Sequence, residues 1–594
     1  MATNALQSSS TQDAVTFEVV RSSLVNLVSE MGVRLSKVAF SAVISVGRDF
    51  SLAMCAANGD MICTGPEDQP AHVGTLEFTT RCVLDVFPLE EIEPGDFFLV
   101  NDPHKGGTHN NDMRVVYPVF VDGELTVWLI ACGHWPDVGG PIPGSFNALA
   151  TSCFAEGQRV LPIRLGRAGK MQRDVVELLL ANVRLPHTSR GDLLAQVEAC
   201  RAGEQRFHDI VDKHGAATVA WAIDEMMNYS ERLLAAALKD IPDGVYEWTD
   251  WVDIDLPAPD PQPYKVHLRL EVRDGKLTFD YRGSDPQPVG PSGSSLPMAW
   301  SATVCGVLNL FPGILMNHGV MRNIEVLTTP GTCVDVQFPG AICGTAAGAY
   351  EKVLGAVINC FGQADPARLA AANYNLVNVT VGGMNAGEPW VMYLWPCGGY
   401  GATARGDGGL PSMCLFSSGT QNQPTEVLER AYPVLFERVA MMRDSGGAGR
   451  YIGGPGSDLL FHVTEGRSEM GAIGDRNRFP IWGVAGGTAG ASQDAVINPG
   501  TEQAKHLTVT FSGEQLEPNQ RVRVWTGGGG GYGDPLERPI EDVLEDVIDD
   551  YVSLDAARER FGVVIDAVDP DVFDFRVDAA ATAQLRARMA AERP

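Results

Sequence analysis

Residues 101–112, Asn-Asp-Pro-His-Lys-Gly-Gly-Thr-His-Asn-Asn-Asp, and the later Cys132-Gly133-His134-Trp135 carry the side chains a divalent metal ion selects. His109 and Asp112 stand three apart just beyond the Gly106-Gly107 kink, and an apolar stretch separates them from His134. Two neutral imidazoles and one carboxylate suit zinc, manganese or iron, and a three-ligand set leaves positions open to water and substrate. The apolar runs 115–120 and 127–131 flank Asp122-Gly123, a pattern that predicts a hairpin returning His134 to the side of His109. A lone histidine more often caps a loop or fills a core; the clustering here favours the metal.

Other residues gather around this group. Asp49 lies in the apolar stretch 43–55, which reads as strands broken at Gly47-Arg48 and ended by the turn Asn58-Gly59-Asp60. A carboxylate buried there needs a partner, so Asp49 is a fourth-ligand candidate, with a strand-end hydrogen-bonding role as the alternative. His72 and Asp102 are the candidate catalytic residues. His72, in Gln69-Pro70-Ala71-His72-Val73-Gly74, could line the pocket or serve a structural loop. Asp102 could hydrogen-bond the far nitrogen of a ligand imidazole, act as a base, or cap its Asn-Asp-Pro turn. Arg114 and Lys105 are available for an anionic intermediate, and Trp135, Phe146 and Phe154 are aromatic residues near the ligands.

The elements that must position these residues read as α+β. Phe17, Val20, Leu24, Leu27, Val28 and Met31 form one helical stripe. Residues 192–214 and 216–238 read as a helical hairpin, and 266–272 with 277–281 as a β-hairpin around Asp274-Gly275. Further helices are expected at 299–310 and 350–361. No glycine run ends in Gly-Lys-Ser/Thr, so no phosphate cradle is visible, and the glycines at 527–533 read as a tight structural turn before the last helices. The expected organisation is a disordered lead-in at 1–13, a metal-site α+β region at 14–170 and a helical segment at 171–240. A β-rich, glycine-rich region at 241–535 and a helical, acidic tail at 536–594 follow, with 14–535 read as one intertwined unit.

At 594 residues and 45% hydrophobic content the chain can bury a large core. A formal charge of −29 argues against a nucleic-acid surface. No run of about 18 apolar residues suggests a membrane span, and the polar start lacks the features of a signal peptide. The 12 cysteines form no CxxC pair, which suggests free thiols in a reducing cytoplasm.

The chain also resembles the hydantoinase B and 5-oxoprolinase family, which includes the large subunits of acetone and acetophenone carboxylases. The resemblance runs through Glu30-Met31-Gly32, Asp49-Phe50-Ser51, Asn101-Asp102-Pro103 with Gly106-Gly107-Thr108-His109, and Asn317-His318-Gly319. It continues in Glu429-Arg430-Ala431-Tyr432-Pro433, Asp444-Ser445-Gly446-Gly447, Pro480-Ile481-Trp482-Gly483 and Tyr532-Gly533-Asp534-Pro535. It implies a large multi-layer hydantoinase-B-like subunit with mixed β-sheets, and it puts the metal-ligand roles of the carboxylase members on His109, Asp112 and His134. It also implies a hetero-oligomer in which a hydantoinase-A-like subunit with an actin-like fold binds and uses ATP. The reaction expected is hydrolysis of a cyclic amide, such as a hydantoin, 5-oxoproline or a lactam, activated by phosphorylation in the partner. The alternative is a ketone carboxylase joining a phosphoenol-derived enolate to carbon dioxide, and a third reading is a non-catalytic scaffold subunit. The chain lacks the long carboxy-terminal extension of acetone carboxylase large subunits, which tilts the expectation toward amide hydrolysis.

Overall fold

The structure, a computed structural model, describes the backbone of residues 2–592 and the side chains of residues 14–592, so the side chains of the lead-in expected at 1–13 lie outside the described residues. The first helix, Ala2–Val38, buries Val20, Leu24, Leu27, Val28 and Met31. That stripe packs beside Pro186–His214, which Gly215 (φ 83°) joins to Ala216–Ala237 in the expected helical hairpin.

These helices cover one face of a seven-stranded antiparallel sheet built from β1 (Phe50–Ala56), β2 (Met61–Thr64), β3 (Phe97–Val100), β4 (Asp112–Val121), β5 (Glu124–His134), β6 (Ile163–Arg167) and β7 (Lys170–Met171). The strand order is β2-β1-β5-β4-β3-β6-β7. Successive side chains of a strand point to opposite faces. Leu52, Met54, Met113 and Val115 therefore enter the core beneath the helical hairpin, while Ala53, Cys55, Val116 and Ile130 enter a second core. That second core also holds Val304 of the helix Leu296–Leu310 and Val353 of the helix Glu351–Ala364, so regions distant in sequence share it. Burial on both faces explains why these strands read as apolar runs rather than as alternation.

A four-stranded sheet contains the expected hairpin, Tyr264–Arg273 with Lys276–Asp280; its turn residues Asp274 and Gly275 have φ 50° and 72°. Its parallel pairing with Ile324–Leu327 makes it mixed. Two further sheets, one of four and one of five strands, share a third core around Phe461, Met470 and Val522. The architecture is α+β with several sheets. Among the described residues no helix is long and apolar enough to cross a membrane.

Three local expectations are corrected. Residues 42–45 form a short helix, not a strand: Ser41 accepts from the Ile44 amide at its N-terminus, and Val43 and Ile44 are buried from that helix instead. The tail contains the helices Ile540–Ile548, Leu554–Phe561 and Ala579–Ala591, but a hairpin of Ile565–Asp569 with Asp574–Val577 interrupts them.

The glycine run is not a turn. Gly529, Gly530 and Gly531 donate to the carbonyls of Gly454, Ala372 and Thr488 (2.9 Å each), while Gly527, Gly529 and Gly530 accept from Gly399, Gly447 and Ala402. The run thus bonds several neighbouring segments at once, backbone against backbone. A β-carbon at Gly529 would stand 1.9 Å from the Tyr400 carbonyl oxygen, so only glycine permits this lattice.

Candidate metal centre

The turn between β4 and β5 has positive φ at both central residues, Asp122 (52°) and Gly123 (86°), the handedness that matches strand twist. It sets a register in which Asp112 pairs directly with His134 and Arg114 with Cys132. On the other side of β5, Phe50 of β1 pairs with Gly133, and the His134 amide donates to the Asp49 carbonyl (3.1 Å). Asp49, Asp112 and His134 therefore meet at one end of the sheet. His109 arrives from the preceding loop, where the Asp102 carbonyl accepts from the amides of Lys105, Gly106 and Gly107. Gly107 comes so close to Asn101 that a β-carbon would lie 2.3 Å from its carbonyl oxygen. The Asp112 amide donates to the His109 carbonyl (3.1 Å), folding His109 back over the ladder's end. Donor atoms of His109, Asp112 and His134 all lie within 4.8 Å of one another.

All three are buried, Asp112 completely. One carboxylate oxygen, Asp112 Oδ2, is crowded: the Thr108 hydroxyl donates to it, His72 Nε2 stands 3.2 Å away and His109 Nε2 3.4 Å. Its other oxygen, Oδ1, has no partner, and neither does Nδ1 of His109 or of His134. Three unpartnered buried polar atoms, one from each member of the group, would be costly in a finished protein interior. A divalent ion with nitrogen and oxygen ligands fits that donor set.

Electrostatics put these groups in the protonation states a metal requires. Burial and the neighbouring His109 push His134 down to about 3, and burial lowers His109 against the pull of Asp112. Burial alone would raise the Asp112 carboxyl, but the imidazoles of His109, His72 and His134 outweigh it and hold it well below the usual range. Burial lifts the Asp49 carboxyl to about 7, with His72 opposing and Asp112 reinforcing.

The remaining sequence candidates divide. Asp49 Oδ1 lies 3.9 Å from His72 Nε2, at the edge of the group, and His72 is drawn in against Asp112. Asp102 is committed elsewhere: Arg159 donates to Oδ2 (2.7 Å), the His104 amide to Oδ1 (3.1 Å), and no hydrogen bond joins it to His109 or His134. Arg114 is not free for an anion. It is fully buried and donates to Thr75, Thr79, Thr108 and the Gly106 carbonyl, bracing the loop before His109. Lys105 is exposed. Of the three aromatic residues, Phe146 alone lines the group; the Trp135 indole donates to Gln196 in the core beneath the helical hairpin, and Phe154, 70% exposed, packs on Phe338.

Sequence reasoning missed most of the surrounding wall. Phe146 meets His109 edge-on at 5.1 Å and stacks on His134 at 5.9 Å, while Tyr393 and Trp395 stand 5.1 and 6.2 Å from His134. The Tyr393 hydroxyl donates to the Gly144 carbonyl and accepts from Asn111 Nδ2 (3.1 Å), so it is engaged as structure rather than free as an acid. Nothing in a single sequence joins the strand Glu388–Leu394 to His134.

The chain as a whole matches a known class. Residues 13–535 match the hydantoinase B/oxoprolinase family model, and the chain belongs to that family. It is 31% identical over 583 residues to caprolactamase subunit beta of Pseudomonas jessenii, covering 94% of this chain and 97% of that one. The solved ATP-dependent caprolactamase of the same organism superposes with a TM-score of 0.87 at 30% identity, covering 97% of this chain and 99% of that chain. Nucleotide-free acetone carboxylase shares the fold, with a TM-score of 0.89 at 21% identity over 98% of this chain and 83% of that one.

Proposed function

We propose that this chain is the metal-binding hydrolytic subunit of an ATP-dependent, hetero-oligomeric enzyme that opens a cyclic amide of the lactam, hydantoin or 5-oxoproline type. The observation that carries this reading is the set of three unpartnered buried atoms, Asp112 Oδ1 and Nδ1 of His109 and His134. Similarity to a caprolactamase subunit along nearly the whole chain supports the amide as substrate. Amide resonance makes the carbonyl a poor electrophile. Phosphorylation of its oxygen in a nucleotide-binding partner removes that resonance and creates a leaving group. When bound, a zinc, manganese or iron ion would supply Lewis acidity, lowering the pKa of a water from about 15.7 to about 7. His109, Asp112 and His134 would hold that ion, and Phe146, Tyr393 and Trp395 would exclude bulk water. Asp49, whose carboxyl lies near 7, stands close enough to the group to exchange a proton with the ring nitrogen as it is released, or to join the ligands.

The aromatic wall also favours a second reading, carboxylation of a ketone-derived enolate, which needs water kept out. The assembled complex, given ATP with a lactam, a hydantoin, 5-oxoproline, or a ketone plus labelled bicarbonate, decides between them. Ring opening without label fixation is the expected result. Label fixed into a ketone product, with no ring opened, would refute the hydrolase.

A further inference from the structure

Asp112 is held asymmetrically. Oδ2 receives the Thr108 hydroxyl and faces His72 Nε2 at 3.2 Å, while Oδ1 is unpartnered. The direction of the hydrogens follows from the neighbours. Arg114 Nη2 donates to Thr108 Oγ1 (3.1 Å), which leaves the hydroxyl hydrogen for Asp112. With the Ser51 hydroxyl donating to the Phe50 carbonyl (2.8 Å) and accepting from the Gln69 amide (3.0 Å), His72 Nδ1, 3.1 Å away, is placed to donate to its remaining lone pair. His72 Nε2 faces a carboxylate oxygen, which only accepts. The turn that carries His72, Pro70–Val73, is pinned in turn: Ser301 Oγ donates to the Ala71 carbonyl (2.8 Å), and a β-carbon on Gly74 would lie 2.4 Å from Ser301 Cα.

We propose that His72 and Thr108 are positioning residues that clamp Oδ2 of Asp112, so that the carboxylate meets a metal through Oδ1 alone. The clamp rests on the reading that His109, Asp112 and His134 hold a divalent ion. Such partners fix the orientation of a metal ligand, and their removal weakens metal binding by about ten- to a hundredfold. The clamp also explains why an arginine is buried behind Thr108: it directs the hydroxyl and never reaches the ion. A rival arrangement uses the same residues differently. Donor atoms of His72, Asp112 and Cys132 lie within 4.8 Å of one another and would suit a second ion. Both ring nitrogens of His72 are already occupied by hydrogen-bond acceptors, which favours the clamp.

The test is Zn2+ affinity of the metal-stripped, full-length protein, measured by competition with a chromophoric chelator. Wild type is expected to bind one ion. His72→Ala and Thr108→Val are expected to bind it about ten- to a hundredfold more weakly. His72→Gln, whose side-chain amide can still donate to Oδ2, is expected to recover most of the loss, a rescue that a role in packing alone would not give. Circular dichroism establishes that each variant is folded, and should His72→Ala fail that check, Thr108→Val and His72→Gln carry the comparison. Wild-type affinity in the folded variants, or two ions per wild-type chain with one lost in His72→Ala, would overturn the clamp. His134→Ala separates the two levels: wild-type Zn2+ binding there removes the metal site itself, whereas its loss beside an unaffected His72→Ala removes only the clamp.

Discussion

Asp112 and His134 face each other as the first matched pair of the β4–β5 ladder, at the opposite end of the hairpin from its turn. The candidate ligands are therefore brought together by strand register, with His109 added from the loop that leads into β4.

That geometry predicts how His109→Ala will behave. The assembled complex should keep its size on gel filtration while its ATP-dependent turnover falls to background and its metal content drops. Turnover retained at wild-type rate would leave only the scaffold reading.

Gly123 sits at φ 86°, and a β-carbon there would have nothing within 4 Å, so a side chain meets strain and no clash. Gly123→Ala should lower stability by about 1–2 kcal/mol, the cost of left-handed backbone at a residue with a β-carbon. Metal content should be unchanged, because the pairing of Asp112 with His134 is secured along the whole ladder. Thermal unfolding and elemental analysis of the same sample check both halves.

The glycine lattice gives a contrast of magnitude. A β-carbon at Gly529 would lie 1.9 Å from the Tyr400 carbonyl oxygen, whereas one at Gly406 would meet nothing within 4 Å. Gly529→Ala should prevent recovery of soluble protein or cost more than about 4 kcal/mol. Gly406→Ala should leave stability within about 0.5 kcal/mol of wild type. Equal thermal stability of the two variants would contradict the close backbone packing.

Glu156 supplies the pH dependence. Burial lifts its carboxyl to about 7, although Oε1 accepts from the amides of Ile342 (2.7 Å) and Cys343 (2.6 Å). Between the ordinary value of 4.5 and about 7, the folded state holds a proton that the unfolded chain has released. This contribution to stability is fully present below pH 4.5 and is lost as pH rises through 7. At 1.36 kcal/mol per unit the loss is about 3 kcal/mol. Glu156→Gln keeps an acceptor for both amides and does not ionise, so its stability relative to wild type should rise between pH 5 and pH 8. Denaturant unfolding at the two pH values measures that difference, and a flat or falling difference would contradict the assignment.

Local signals made part of this legible in the sequence. Asp122-Gly123 between two apolar runs specifies a hairpin, and the hairpin places His134 beside the segment that holds His109 and Asp112. The stripe from Val20 to Met31 and the helical hairpin were equally readable, because periodicity reports burial directly. The apolar stretch at Val43 and Ile44 misled, because a serine cap decided in favour of a helix where hydrophobicity alone suggested a strand. What no local pattern contains is contact between distant segments. Tyr393 reaches His134 from another sheet and Trp395 from just beyond its strand, His72 comes from a separate turn, and Arg114 looked free until its four acceptors were in place. The glycines at 527–531 resembled a turn because a single segment carries no mark of the neighbours stacked against it.

The lattice bears on how this protein can change. The strand that supplies Tyr393 leads through Trp395 to Cys397, whose carbonyl accepts from Thr526, and to Gly399, whose amide donates to Gly527. The wall beside the candidate ligands is thus tethered to a frame that is crowded at glycines such as Gly529, where lengthening, shortening or decorating a segment displaces its neighbours. New substrate preferences would have to be written in side chains, at Phe146, Trp395 and the loop around Gly144, while the backbone beneath is inherited intact.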